Sequence, residues 1–174
     1  MGIQFETDYN METLTAMAKG LRKTVRKKRS RRVHIFAAVV LILGLLTILA
    51  TVAGGEPLGA SGVVTLLALL VVILVSLFED KLNAWFARKR LLPGTEHAVA
   101  TFEEDGYVSA TGVTESRFSY AQIVAVAETA RYFVFALSSH HTQAYDKRTI
   151  RGGSVEDFRA FIAEKTGKPI ANIK

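Results

Sequence analysis

The chain has 174 residues, a formal net charge of +6, 49% hydrophobic residues and no cysteine. That composition excludes a disulfide-stapled secreted domain, thiol chemistry and Cys-ligated zinc or iron–sulfur centres. Nine Lys and Arg fall within residues 19–32 and four within 81–90, whereas from Thr95 onward nine basic residues meet ten acidic ones. The basicity therefore belongs to the margins of two apolar runs, not to a globular domain.

In chain order, Ile3, Phe5 and Thr7 alternate with Gln4, Glu6 and Asp8, the pattern of a half-buried strand. Residues 1–9 are expected to join the sheet of a C-terminal domain. Residues 10–32 read as a basic juxtamembrane helix. Its Arg22, Lys23, Arg26, Lys27, Lys28, Arg29, Arg31 and Arg32 are more cations than topology requires and predict contact with anionic headgroups. The segment lacks aromatic residues for base stacking, so nucleic acid is not the expected partner.

Residues 33–53 and 62–78 carry no Asp, Glu, Lys or Arg. A hydrocarbon core needs about 17–25 apolar residues in helix, and buried soluble helices seldom run this long without a charge. The turn at 54–61, with Gly54, Gly55, Pro57 and Gly59, leaves room only for a tight helical hairpin. A cleaved signal peptide is excluded, because its charged region would have to extend over 32 residues and a second span follows at once. Basic residues crowd the other end of both helices, so a multi-pass cell-membrane protein with two spans and both termini in the cytoplasm is expected. Gly44, Thr47 and Thr51 on the first helix are expected to face Ala68, Thr65 and Ser61 on the second. No intramembrane charge marks an ion path.

Residues 79–92 read as an amphipathic interfacial extension of the second helix. Trp85 and Phe86 are its expected anchors, and Arg88, Lys89 and Arg90 further headgroup contacts. From 95 to 174 the period changes to two. Strands are expected at 97–103, 107–111, 117–120, 123–128, 131–137 and 143–147, with Asp105-Gly106 as a hairpin turn. Ser154, followed by Asp157 three residues later, predicts a capped C-terminal helix with Val155, Phe158, Phe161 and Ile162 inward and Gly167 and Pro169 at its end. The fold class is a membrane α-helical hairpin plus an α+β cytoplasmic domain, an antiparallel bent sheet capped by that helix.

Several residues in this domain resemble the YcxB-like family of small bacterial membrane proteins. They are Glu104-Asp105-Gly106, the segment Arg117 to Ile123, Glu128-Thr129, the aromatic strand Tyr132 to Phe135, and Asp146-Lys147-Arg148. The order of N-terminal strand, hairpin and C-terminal domain is similar as well, so the resemblance extends over nearly the whole chain. It implies a pleckstrin-homology-like cytoplasmic domain and supplies architecture without a mechanism.

Chemistry-bearing constellations are sparse. His140-His141 and Glu103-Glu104-Asp105 read as a polar loop and a solvated acidic turn, since neither offers a metal-ligand set or a spaced catalytic pair. Tyr120, Lys147, Arg148 and Arg151 are the candidate partner or anion surface, the last three near the Gly152-Gly153 entry to the final helix. The expected function is a non-enzymatic integral membrane adaptor or regulator, with no cofactor and no metal. Anionic lipid and an unidentified protein are its expected partners, and a homo-oligomer is compatible with the sequence. The alternative is an envelope-stress or membrane-active-peptide resistance factor acting through the hairpin, and the third reading a membrane-bound enzyme.

Overall fold

Hydrophobic periodicity switches between two and 3.6 residues several times along the chain, and the architecture changes with it. The computed structural model describes residues 2–173; Met1 and Lys174, the outer ends of the 1–9 and 95–174 segments, lie outside them. The elements are β1 (Ile3–Asp8), α1 (Met11–Lys23), α2 (Lys27–Ala53), α3 (Ala60–Leu77), α4 (Glu79–Lys89), β2 (His97–Phe102), β3 (Tyr107–Thr111), β4 (Glu115–Phe118), β5 (Ala125–Glu128), β6 (Tyr132–Ala136), β7 (Thr142–Asp146), α5 (Val155–Thr166) and β8 (Ile170–Asn172).

The strands form two four-stranded sheets, β1-β2-β3-β4 and β7-β6-β5-β8, where a single bent antiparallel sheet was expected from the sequence. β1 pairs antiparallel with β2 from Ile3 opposite Phe102 to Asp8 opposite His97. β8 runs parallel to β5, and Ile173 beyond it donates its N–H to the Glu128 carbonyl at 2.7 Å. The third and fourth strands are shifted from the positions expected of them. β4 ends at Phe118, and Ser119 caps a 3-10 turn over Tyr120–Gln122 through a reciprocal bond with Gln122, so β5 starts only at Ala125.

Alternate side chains of both sheets meet in an aromatic core. Phe158 of α5 lies 4.6 Å from Phe5, 4.8 Å from Phe102 and 5.0 Å from Phe133, ring centre to ring centre. All four are fully buried, and their edge-on arrangement suits the aromatic quadrupole. α5 is delivered there by its Ser154–Asp157 capping box and released by Gly167 in the left-handed conformation. The Lys147–Gly153 connection fastens β1 from the other side. Gln4 and Arg151 exchange both backbone hydrogen bonds at 2.9 Å. Gly152 has φ +82° with its Cα hydrogens toward the Gly2 carbonyl, where a Cβ would come within 2.5 Å of the oxygen. Only glycine meets both conditions.

β6 is buried on both faces. Phe133 and Phe135 enter the aromatic core, whereas Tyr132 and Val134 form a second cluster with Ala127, Ala144 and Ile173, covered by Ala16 and Met17 of α1. The basic segment 10–32 is thus not one helix. α1, capped by Asn10, docks on the domain; the chain breaks at Thr24–Arg26, and α2 runs on from Lys27 as a single 27-residue helix.

α2 and α3 are long and apolar enough to cross a membrane, and no part of either span is buried by the rest of the chain. Between themselves they shield Ala37, Leu41, Gly44, Ile48 and Thr51 on α2 and Gly62, Thr65, Leu69, Val72 and Ser76 on α3. These alternate three and four apart, the seam of a left-handed antiparallel pair. Gly44 packs on Leu69, one residue from the expected Ala68. Thr47, Ser61 and Ala68 fall outside the seam, and the hydroxyls of Thr47, Thr51 and Thr65 bond to carbonyls of their own helices. The apolar pair is closed by shape, not by polar bonds between helices.

Phe5→Ala tests the role of β1. It should cost about 3–5 kcal/mol, as for large cavities in packed cores. Limited proteolysis of the full chain should then show faster cleavage within 95–174. An unchanged cleavage rate would mean that β1 is dispensable.

Candidate functional site

The chemically distinctive region is the junction where α1, the start of α2, α4 and the β6–β7 loop converge. α1 carries Leu14, Met17, Ala18 and Leu21 at helical spacing, and Thr13, Leu14, Gly20 and Leu21 are buried. Gly20 sits on Val134, so close that a Cβ would come within 2.6 Å of a Val134 methyl. On its other side α1 packs against α4 at the buried Ala84. Arg22 closes this contact with a two-pronged pair to Asp80, Nε to Oδ1 at 2.7 Å and Nη2 to Oδ2 at 2.6 Å. Such fork geometry is stronger than a single-point ion pair. The bond to Asp80 raises the guanidinium's pKa, so it stays charged.

Beside this clamp lies a cleft of about 610 Å³. One wall is apolar: Leu14, Met17, Leu21, Val33 and Phe86. The other is cationic, with Arg26, Arg29 and Arg90. Arg26 is oriented by the β6–β7 loop, its Nε donating to the Ser139 carbonyl at 2.6 Å and its Nη2 to His140 Nδ1 at 3.0 Å. Arg29 and Arg90 are exposed and make no ion pair among the described residues.

The predicted headgroup contacts thus separate into three groups. Arg22 is committed to Asp80. Arg26, Arg29 and Arg90 line the cleft. Lys23, Lys27, Lys28, Arg31, Arg32, Arg88 and Lys89 are exposed outside it. Trp85 and Phe86 are half exposed, their ring centres 5.0 Å apart, and Lys89 Nζ lies 3.7 Å over the indole.

Each residue of the expected partner or anion surface has a partner within the chain, although Arg148 and Arg151 stay exposed. Tyr120 is buried, and its hydroxyl donates to the Glu103 and Gly106 carbonyls at 2.5 and 3.0 Å, fastening the β2–β3 turn. Burial first, and the nearby Glu104, Glu103 and Asp105, push its pKa upward. Lys147 donates to Glu128 Oε1 at 2.9 Å and to the Thr129 carbonyl at 2.7 Å. Arg148 binds Asp146 at 3.0 Å and Arg151 binds Glu6 at 3.1 Å. Lys147 and Arg148 serve the buried carboxylates Glu128 and Asp146, which need partners, and Arg151 makes a more exposed pair with Glu6.

Asp146 and Glu128 anchor these networks. Asp146 also accepts from Arg131 at 2.7 Å, and Arg131 reaches Glu12 of α1. Glu128 accepts from Arg159 at 2.8 Å and 2.9 Å as well as from Lys147, and the Arg159 bond first and Lys147 second hold its pKa down at about 2. Tyr107 and Tyr145 donate to the same Gln143 oxygen at 2.7 Å, and burial raises both phenols. Burial likewise brings Tyr9 up to about 12. His140 and His141 sit in the Ser138 turn, and no group of three or more His, Asp or Glu that could hold a metal occurs among the described residues.

The α1 interface was not expected, although Leu14, Met17, Ala18 and Leu21 at helical spacing signal a buried stripe within the basic segment. Asp80 opposite Arg22, 58 residues away, had no local signature.

The family model described as YcxB-like protein matches residues 102–162. The match covers the last residue of β2 through most of α5 and stops short of β1 and the helical hairpin, so the family likeness is shown for this stretch and not for nearly the whole chain. No curated protein and no solved structure matches the chain.

Two outcomes follow from this packing. Gly20→Ala gains about 1 kcal/mol of helix propensity but overpacks Val134, at about 1–3 kcal/mol. Net destabilisation of roughly 1 kcal/mol is expected in denaturant unfolding; net stabilisation would show that α1 does not dock. Because the folded pKa of Glu128 lies below its unfolded value, its contribution, on the order of 2–3 kcal/mol, is complete above about pH 4.5 and fades towards pH 2. The stability gap between wild type and Glu128→Gln should therefore be wide at pH 7 and close by pH 2.

Proposed function

We propose that the chain is a two-span membrane protein with both termini in the cytoplasm. In this reading it serves as a non-enzymatic adaptor that holds a pleckstrin-homology-like domain rigidly against an anionic membrane surface. The observation that carries the reading is the contrast between α2–α3, whose outer faces are uncovered throughout, and their base, where the folded domain grips them. Uncovered apolar surface on this scale needs lipid or a partner as solvent. The cations gather at the base, and Glu56 is the sole charge at the far turn, which supports cytoplasmic termini.

The pleckstrin-homology-like reading rests on two stacked sheets with α5 sealing the core between them. The non-enzymatic reading rests on where the buried charges go. Glu128, Asp146, Lys147 and Arg131 all serve structural pairs, which leaves no convergent acid and base in the core among the described residues. Mounting by both β1 and α1 suits a domain whose task is to present a surface at fixed height.

The absence of cysteine makes the topology directly testable. Ser61→Cys should react with a membrane-impermeant thiol reagent on intact cells, and Val124→Cys, on an exposed side chain of the domain, only after lysis. The opposite pattern would invert the protein in the membrane. Labelling of both on intact cells would refute the two-span reading.

A further inference from the structure

We propose that the cleft between α1, α2 and α4 is a specific site for one anionic phospholipid, distinct from the diffuse attraction of the basic collar. The proposal rests on the membrane reading above and goes beyond it by assigning a stoichiometric ligand.

The sequence makes the distinction through helical phase. Arg26, Arg29, Ser30 and Val33 recur at intervals of three and four and line the cleft; Lys27, Lys28, Arg31 and Arg32 lie on other faces of the same turns and do not. The helical step of about 100° divides any such run between faces, and what singles out the inner set is the enclosed, partly apolar cleft that it lines. The cleft also has the two chemistries that a phospholipid presents side by side. Arg26, Arg29 and Arg90 provide guanidinium groups suited to bidentate phosphate contact. Leu14, Met17, Leu21 and Phe86 provide an apolar wall for the start of an acyl chain.

Charge balance favours an anion. Among the cleft's charged residues, Arg22 is occupied by Asp80, and the one carboxylate, Glu79, lies 3.8 Å from Arg22 and 3.7 Å from the ring of His34. Three guanidinium groups are left without a carboxylate. Arg26 is already aimed by its bonds to Ser139 and His140, so less side-chain freedom is lost when a ligand arrives. The position selects a lipid over a soluble phosphate: Val33, where the apolar run begins, forms part of the wall and is more than half exposed. The cleft therefore opens at the level where headgroup gives way to hydrocarbon.

The test uses the full chain, delipidated in non-ionic detergent. It is offered phosphatidylglycerol, phosphatidylcholine or inorganic phosphate, and adducts are counted by native mass spectrometry. One phosphatidylglycerol per chain is expected, with phosphatidylcholine about tenfold weaker and inorganic phosphate unable to compete at equal concentration. Competition by phosphate, or equal binding of phosphatidylcholine, would overturn the assignment. Arg29→Gln with Arg90→Gln should weaken the phosphatidylglycerol adduct about ten- to thirtyfold, from two contacts of roughly tenfold or less each. The charge-matched pair Lys28→Gln with Arg32→Gln should change it by less than about twofold. Equal losses in the two pairs would refute a specific site while leaving the collar and the membrane reading intact; release of the wild-type chain from membranes by alkaline carbonate would refute the membrane reading itself. Arg29→Lys with Arg90→Lys, which keeps the charge but not the planar fork, should bind between the wild type and the Gln pair; a Gln pair whose thermal unfolding midpoint matches the wild type has lost the site and not its fold, and unchanged binding in a Gln pair that is folded would refute the site.

Discussion

Strand β6 buries both of its faces, and that double demand organises the rest of the molecule. A strand with Phe133 and Phe135 on one side and Tyr132 and Val134 on the other needs an apolar cover twice. Phe5, Phe102 and Phe158 supply the first, bringing together β1, β2 and α5 from distant parts of the chain. α1 supplies the second. Because α1 leads into α2 after a three-residue break, covering β6 also attaches the domain to the hairpin. The same apolar surface that stabilises the sheet therefore sets the position of the domain relative to the two long helices.

Polar groups reinforce the register that Gly20 already sets against Val134, where a Cβ would come within 2.6 Å of a methyl. The fork between Arg22 and Asp80 fixes register against α4, and the Glu12–Arg131–Asp146 chain fixes it against β6 and β7. Isolated surface pairs contribute little, but planar two-pronged pairs shielded from water combine geometric choice with energy. Thr13 adds a third tie, donating to the Asp8 carbonyl at 2.6 Å and lying 3.2 Å from the Tyr132 hydroxyl. Each tie joins elements far apart in sequence, which is why residues 3–23 behave as part of a domain that resumes at residue 97.

What could be read from the sequence was what repeats. The Ile3-Phe5-Thr7 alternation, the two charge-free runs, the Asp105-Gly106 turn and the Ser154–Asp157 box all act through near neighbours, and their periods survive in the folded state. Tertiary context decided the remainder. Tyr120 had the amphipathic character of a contact residue, yet its hydroxyl is engaged by two carbonyls of the β2–β3 turn. The pairing of Lys147, Arg148 and Arg151 with Glu128, Asp146 and Glu6 was equally out of sight in the sequence, since two of the three partners lie far along the chain. β8 is three residues long and parallel, too short to show alternation. The two-sided burial of β6 was visible in its residues; that α1 would cover one side required its apolar stripe to be read beneath its charges.

The charges of that segment show why composition alone understates a basic run. On a helix, neighbours in sequence lie about 100° apart in azimuth, so eight cations spread over residues 22–32 cannot all serve one surface. Those at 22, 26 and 29 turn towards the domain and α4; those at 27, 28, 31 and 32 turn away from the cleft. Salt screens the two sets differently, since fully solvated charges lose most of their reach within about 10 Å at moderate ionic strength while partly enclosed ones lose less. Arg22 has already been converted into a structural clamp by the arrival of Asp80. Arg26 is half converted, held by a carbonyl and an imidazole that carry no formal negative charge. Arg29 and Arg90 have no such partner, and the cleft they share with Arg26 is where the unspent charge of the junction concentrates.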